Sequence, residues 1–237
     1  MELVFLKAKQ RLAKEISNKG TTPYPLTKNF TSEHVQVSKT KKGLHTLLKT
    51  LQTQAASGAC LHKGLLKRPL ENESRAMMAD RVASTELLVL DIDGIQMPGS
   101  LTDVRTVAEK IIAQLPECFQ DVSYIAQASA SLGFKKDKVS MHFFFLLNQP
   151  TQPKILKEWF KLLNYETDIL SSQLALSANG QSLSYKLDPS VAENSKIIYI
   201  APPTFKDDIQ DPISSDRFVL VERGSVTIDP RPLLVHV

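Results

Sequence analysis

Asp91 and Asp93 close the apolar run "LLVLDIDG", Leu87 to Gly94, with one isoleucine between them. Two carboxylates delivered by a buried strand are costly to desolvate unless a cation or a polar reaction centre compensates them. Side chains alternate along a strand, so the pair shares a face, Cα atoms about 7 Å apart, with Ile92 turned the other way. Hard oxygen donors so placed suit Mg2+ or Mn2+ better than zinc, and Mg2+ is usually held by one or two carboxylates together with substrate phosphates. A strand-end turn is the competing reading of a DxD taken alone.

The same alternation in "VSMHFFFLL", Val139 to Leu147, puts Ser140 and His142 on one face with Phe144, and Val139, Met141, Phe143 and Phe145 on the other. A hydroxyl and an imidazole then point together. "ASAS" at 128–131 precedes them and Lys135, Lys136 and Lys138 flank them, so that face could take a triphosphate through hydroxyl, imidazole and ammonium donors. A hydrogen-bonded core histidine is the plainer alternative. A third carboxylate, Asp188 in "KLDPSV", stands where a short strand meets Pro189, and Lys196 precedes the apolar "IIYI". Read singly, Asp188 fits a turn and Lys196 a solvated surface equally well.

The elements that must carry these residues follow from periodicity. A short amphipathic helix is expected over Leu6–Ile16, before the turn-rich "GTTPYP", and a second over Leu44–Gln54, where Leu44, Leu47, Leu48 and Leu51 form a stripe. Residues 58–81 are basic with little regular periodicity. Ser100–Leu115 reads as a helix capped by Ser100 or Thr102, with Val104, Val107, Ala108, Ile111 and Ile112 facing inward. Val122–Ala128 and Val139–Leu147 read as strands joined by a polar, basic turn, and Thr151–Leu163 as a helix with a proline in its first turn. Short strands are expected at Ser184–Leu187, Ile197–Ile200 and Phe218–Glu222 among proline-rich loops. Strands mixed with helices and no internal repeat give an α+β or mixed α/β class.

A hydrophobic content of 42% excludes disordered and collagen-like classes. Cys60 and Cys118, far apart and without CxxC spacing, suggest neither a disulfide framework nor a four-ligand zinc site, so a reducing cytoplasmic setting is expected. The opening "MELVFLKAKQRLAKE" is too short in apolar residues for a secretory segment, and no stretch has the apolar length of a membrane span. The net charge of +4 is compatible with a polyanionic partner. Its local clusters, Lys39–Lys42, Lys63–Arg68 and Lys135–Lys138, are candidate phosphate contacts or plain solvated loops.

Taken in order, "LVLDIDG", "SMH" opening an aromatic strand, and "LDPSV" followed by a basic residue and "IIYI", the chain resembles the archaeo-eukaryotic primase superfamily, most closely the primases and primase-polymerases of plasmids, phages and integrated elements. The resemblance spans about residues 91 to 199. It implies an α+β fold with an RRM-like mixed-sheet catalytic core and helices packed on the sheet. Residues 1–82 are then an N-terminal helical and basic part of the catalytic module, and 83–237 the core. It also implies primer synthesis, and extension, on single-stranded DNA by two-metal nucleotidyl transfer. Asp91, Asp93 and Asp188 take the role of catalytic carboxylates binding two Mg2+ or Mn2+ ions, and Ser140, His142 and Lys196 that of nucleotide-phosphate contacts. Lys196 stands where the family frequently has arginine, a point charge in place of a fork. Arg75, Lys135 and Lys136 are implied template or phosphate contacts. The partners implied are a single-stranded DNA template, NTP or dNTP substrates and a replicative helicase in cis or in trans, with no membrane.

Two rivals remain at this level. "LLVLDIDGI" is also close to the haloacid-dehalogenase signature, in which the first aspartate is a phosphorylated nucleophile. Ile95 replaces that family's usual threonine, the motif lies ninety residues into the chain, and "KDD" at 206–208 follows "APPTF" rather than an apolar strand. The other rival is a catalytically silent, replication-initiator-type DNA-binding module on the same sheet, which would tolerate neutral residues at the aspartates.

Overall fold

The computed structural model describes residues 1–177, 179–213 and 216–229. The chain is α+β, with largely antiparallel sheets and few helices. No helix among the described residues is long and apolar enough to cross a membrane.

Two long strands form the centre. Thr85–Gln96, the DxD strand, pairs antiparallel with Lys138–Thr151, the SxH strand, in the register Leu87–Leu146 through Ile92–Met141. The other edge of the SxH strand pairs with Tyr124–Ala128, which pairs in turn with Phe218–Val221, all antiparallel. Thr227–Ile228 continues that edge in parallel, opposite Leu146 and Leu147. On its far edge the DxD strand meets the Lys186–Asp188 segment in an antiparallel bridge, Ile92 to Leu187. Along the chain the order is strand, helix, strand, strand, helix, bridge.

The longer helices are α1 (Lys41–Ala56), α2 (Val104–Ile112) and α3 (Pro153–Glu166). Helices α2 and α3 cover one face of the central sheet, burying Val104, Ile111, Trp159 and Phe160 against Leu88, Leu90, Ile92, Phe143 and Phe145. The opposite face, with Leu87, Val89, Phe144 and Leu146, packs on Leu44, Leu47 and Leu51 of α1 and on Leu3, Phe5 and Ile198 of a second sheet. Cover on both faces explains why the DxD strand reads as an unbroken apolar run. The second sheet is antiparallel, ordered Ile197–Tyr199, Cys60–His62, Glu2–Lys7, Asn29–Gln36, Glu73–Ser74.

The expected helix over Leu6–Ile16 does not form. Glu2–Lys7 and Glu15–Ser17 are strands. Leu3 through Leu6 are buried from both sides, Leu3 and Phe5 toward α1 and Val4 and Leu6 toward Leu12, Phe30 and Leu70, as a strand covered on both faces accommodates. Helix α2 starts later than expected, capped by Asp103, whose carboxylate accepts from the Arg105 and Thr106 amides. Helix α1 contains the expected Leu44–Gln54 stripe with Thr40 as N-cap, and α3 opens on Pro153. The SxH strand outruns the expected Val139–Leu147 at both ends. Of Ser184–Leu187 only a two-residue strand, Leu183–Ser184, and the Leu187 bridge appear.

Candidate functional site

The two motifs meet across one strand pair. Asp91 lies directly opposite His142, and His142 Nε2 stands 3.5 Å from Asp91 Oδ1. One step on, the register slips: Asp93 and Gly94 face the single residue Ser140 between the Ile92–Met141 and Ile95–Val139 pairs. Such a bulge twists a strand and re-aims its side chains. Gly94 supplies the left-handed backbone it requires, at φ +63°. Ser140 Oγ locks the result, donating to Asp93 Oδ1 at 2.6 Å and accepting from the Gly94 amide at 3.0 Å.

Asp188 arrives from the far edge of the same strand. Its amide donates to the Asp91 carbonyl, and the Asp93 amide donates to the Lys186 carbonyl, both at 2.9 Å. This short segment is held by Asn164 of α3, which is fully buried. Asn164 Oδ1 accepts from the Lys186 and Leu187 amides, and its Nδ2 donates to the Leu187 and Phe160 carbonyls. One amide side chain thus does the work of a missing strand partner. The Asp188 carboxylate accepts from the Ser190 amide and hydroxyl, both at 2.8 Å, and from Lys196 Nζ at 3.1 Å. Lys196 Nζ also donates to Ser190 Oγ.

Asp91, Asp93, Ser140, His142, Asp188 and Lys196 all line one cavity of about 440 Å³, within the usual range of small-molecule sites. Its remaining walls include Lys14, Tyr24, Ser129, Ser131, Tyr185 and Tyr199. Tyr24 and Tyr199 are stacked, centroids 3.7 Å apart, and Lys14 Nζ sits 5.1 Å from the Tyr24 centroid. Burial raises the Asp91 carboxyl above its ordinary value; His142 opposes this, while the carboxylates of Asp188 and Asp93 add to it. Burial alone would raise Asp188 too, but hydrogen bonds from Ser190 and Lys196 outweigh it and hold that carboxyl below its ordinary value. Burial, followed by the nearby Asp91 charge, pushes the Tyr24 hydroxyl well up.

Among the described residues no group of three or more His, Cys, Asp or Glu side chains stands at metal-holding distances. Asp93 is engaged by Ser140 and Asp188 by Lys196 and Ser190. The donor set is nevertheless hard oxygen throughout, and a cation binding Asp188 has one ammonium to displace.

The remaining sequence candidates lie elsewhere. Arg75 donates to the Ser195 carbonyl at 2.6 Å beside the Lys196 segment, outside the cavity lining. Lys135 and Lys136 are exposed on the turn that carries Ser129 and Ser131. Lys63 cannot belong to an open groove, because it is 3% exposed; Arg68 is paired with Glu73, and Lys39 with Glu86. Asp207 and Asp208 of "KDD" form a left-handed turn bonded to Asn18 and do not line the cavity. Lys14, Tyr24 and Tyr199 escape sequence reading, since long-range pairing brings them in; Gln127 and Asn164 leave a signal, a lone amide on an otherwise apolar face. The chain matches no family model, and it shows no significant similarity to any curated protein or any solved structure.

Proposed function

We propose that this chain is a nucleotidyltransferase of the archaeo-eukaryotic primase type, making primers on single-stranded DNA from NTP or dNTP substrates. The observation that carries the reading is convergence: the DxD, SxH and LD motifs, with Lys196, come from separate segments and line one cavity. The strand–helix–strand–strand–helix–bridge order, with the DxD strand between the SxH strand and the Leu187 segment, supports an RRM-like core.

Asp91, Asp93 and Asp188 are the residues that would hold two divalent ions, Mg2+ or Mn2+. Their chemistry when bound is to acidify an attacking 3′-hydroxyl and stabilise the departing pyrophosphate. The chain's own part is to position charge. The Gly94 bulge and Ser140 aim Asp93, Asn164 seats the Asp188 segment, and His142, Lys196 and Lys14 give the cavity cationic or hydrogen-donating groups for phosphate oxygens. Release of Asp188 would leave the Lys196 ammonium free to meet a phosphate. The phosphatase alternative wants a later acidic pair beside Asp91, and Asp207 and Asp208 do not line this cavity.

The test is incorporation of labelled nucleotides on single-stranded DNA with Mn2+ or Mg2+, with and without a primer. Asp91→Asn and Asp93→Asn are expected to abolish synthesis while DNA binding persists. Unchanged synthesis in either variant overturns the reading and favours a role in which the carboxylates do no chemistry.

A further inference from the structure

His142 has two ring nitrogens, and the protein treats them differently. Nε2 faces Asp91. Nδ1 turns inward to Gln127 Oε1 at 2.9 Å. Gln127 is the cross-strand neighbour of His142, is 2% exposed, and is the one polar side chain in the buried strand Tyr124–Ala128 apart from the Tyr124 hydroxyl.

The direction of the Gln127–His142 bond follows from a third group. The other end of the Gln127 amide lies 2.8 Å from the backbone carbonyl of Ile200, beside the Ile197–Tyr199 strand of the second sheet. A carbonyl oxygen can only accept, so the end facing Ile200 must be the NH2. The oxygen is thereby committed to His142 and can only accept there, so the hydrogen must sit on Nδ1. A neutral His142 is thus held as the Nδ1–H tautomer, with Nε2 turned toward Asp91 and the cavity.

We propose that Gln127 is a positioning residue that fixes the ring orientation and tautomer of His142 and ties them to the packing of the two sheets through Ile200. For substrate the consequence, resting on the nucleotide-binding reading given above, is that a neutral His142 presents a lone pair to the cavity and meets a phosphate oxygen as donor only with Nε2 protonated. The arrangement is the one by which an outer hydrogen bond orients a histidine whose other nitrogen does the work. Gln127 touches neither the cavity nor a reacting atom, because it is absent from the cavity lining.

The test reads the ring directly, through long-range 1H–15N spectra of the full chain at a pH where the imidazole is neutral, with the His142 signals assigned by their loss in His142→Asn. The wild-type protein is expected to show a pyrrole-type Nδ1 and a pyridine-type Nε2. Gln127→Met, close in shape but without an acceptor, is expected to give a mixture or the reverse pattern. The wild-type pattern decides the matter by itself even if the methionine variant folds poorly. A pyridine-type Nδ1 in the wild type, or an unchanged pattern in Gln127→Met, overturns the proposal. The expected ring pattern in a wild-type chain that binds no nucleotide leaves the positioning role standing and removes the functional reading instead.

Discussion

Replacing Lys63 by methionine should stabilise the protein, and by an amount that depends on pH in a defined direction. Lys63 is buried, and its Nζ has a long 3.4 Å contact to Thr85 Oγ1. Glu2 and Glu86, which line the same small cavity, are engaged by His34 and Lys39. Burial lowers the amine from 10.5 to about 7. At about 1.4 kcal/mol per tenfold change in proton affinity, holding it charged in the fold costs on the order of 5 kcal/mol. Below pH 7 both folded and unfolded chains carry the proton and the whole cost is felt. Between 7 and 10.5 the unfolded chain binds more protons than the folded one, so wild-type stability from this group rises with pH. Water entry and relaxation reduce the figure, so Lys63→Met should gain about 2–5 kcal/mol at pH 6, with the advantage shrinking steadily toward pH 9.5. Urea unfolding of both proteins at pH 6, 8 and 9.5 measures this. A difference below about 0.5 kcal/mol at pH 6, the usual size for a surface substitution, or one that does not change with pH, refutes the reasoning.

Three further outcomes are expected. Asn164→Leu strands the Lys186 and Leu187 amides and the Leu187 carbonyl; it should cost about 2–4 kcal/mol in urea unfolding and abolish any activity that needs Asp188. Gly94→Ala meets no steric obstacle within 4 Å but must hold φ near +63°, so it should cost about 1–2 kcal/mol, and incorporation should fall further than stability does. Asp91→Asn removes a carboxylate whose proton affinity is raised by burial. The wild type pays that penalty at neutral pH and sheds it as acid protonates the group. The variant should therefore be more stable at pH 7 without divalent ions, and lose the advantage as the pH falls into the ordinary carboxylate range.

What the sequence discloses here is what is local. Alternation along "VSMHFFFLL" correctly separates Ser140, His142 and Phe144 from Met141, Phe143 and Phe145, because a two-residue period survives any tertiary context in which the strand forms. The leucine stripe of α1 and the Pro153 start of α3 are legible for the same reason. The N-terminal segment misleads: "LKAKQRLAKEI" is rich in good helix formers at helical spacing, yet pairing of Glu2–Lys7 with Thr31–Gln36 and with Cys60–His62 makes a strand that buries Leu3 to Leu6. Tertiary pairing outweighs a propensity worth tenths of a kcal/mol per residue. Lys63 reads as one more member of a basic cluster, and only the bridging of two strands around Cys60–His62 reveals its burial. The Tyr24–Tyr199 stack joins distant parts of the chain, and Lys14 is placed by the Thr204 amide bonded to its carbonyl, so no window of sequence carries them.

The most direct measurement is Mn2+ binding by electron paramagnetic resonance, with nucleotide present, in the wild type and in Asp91→Asn, Asp93→Asn and Asp188→Asn. The account predicts bound Mn2+ in the wild-type chain and its loss, at least tenfold in affinity, in each variant. A wild-type chain that takes up no Mn2+ beyond that held by free nucleotide, or variants that bind it equally well, would contradict it.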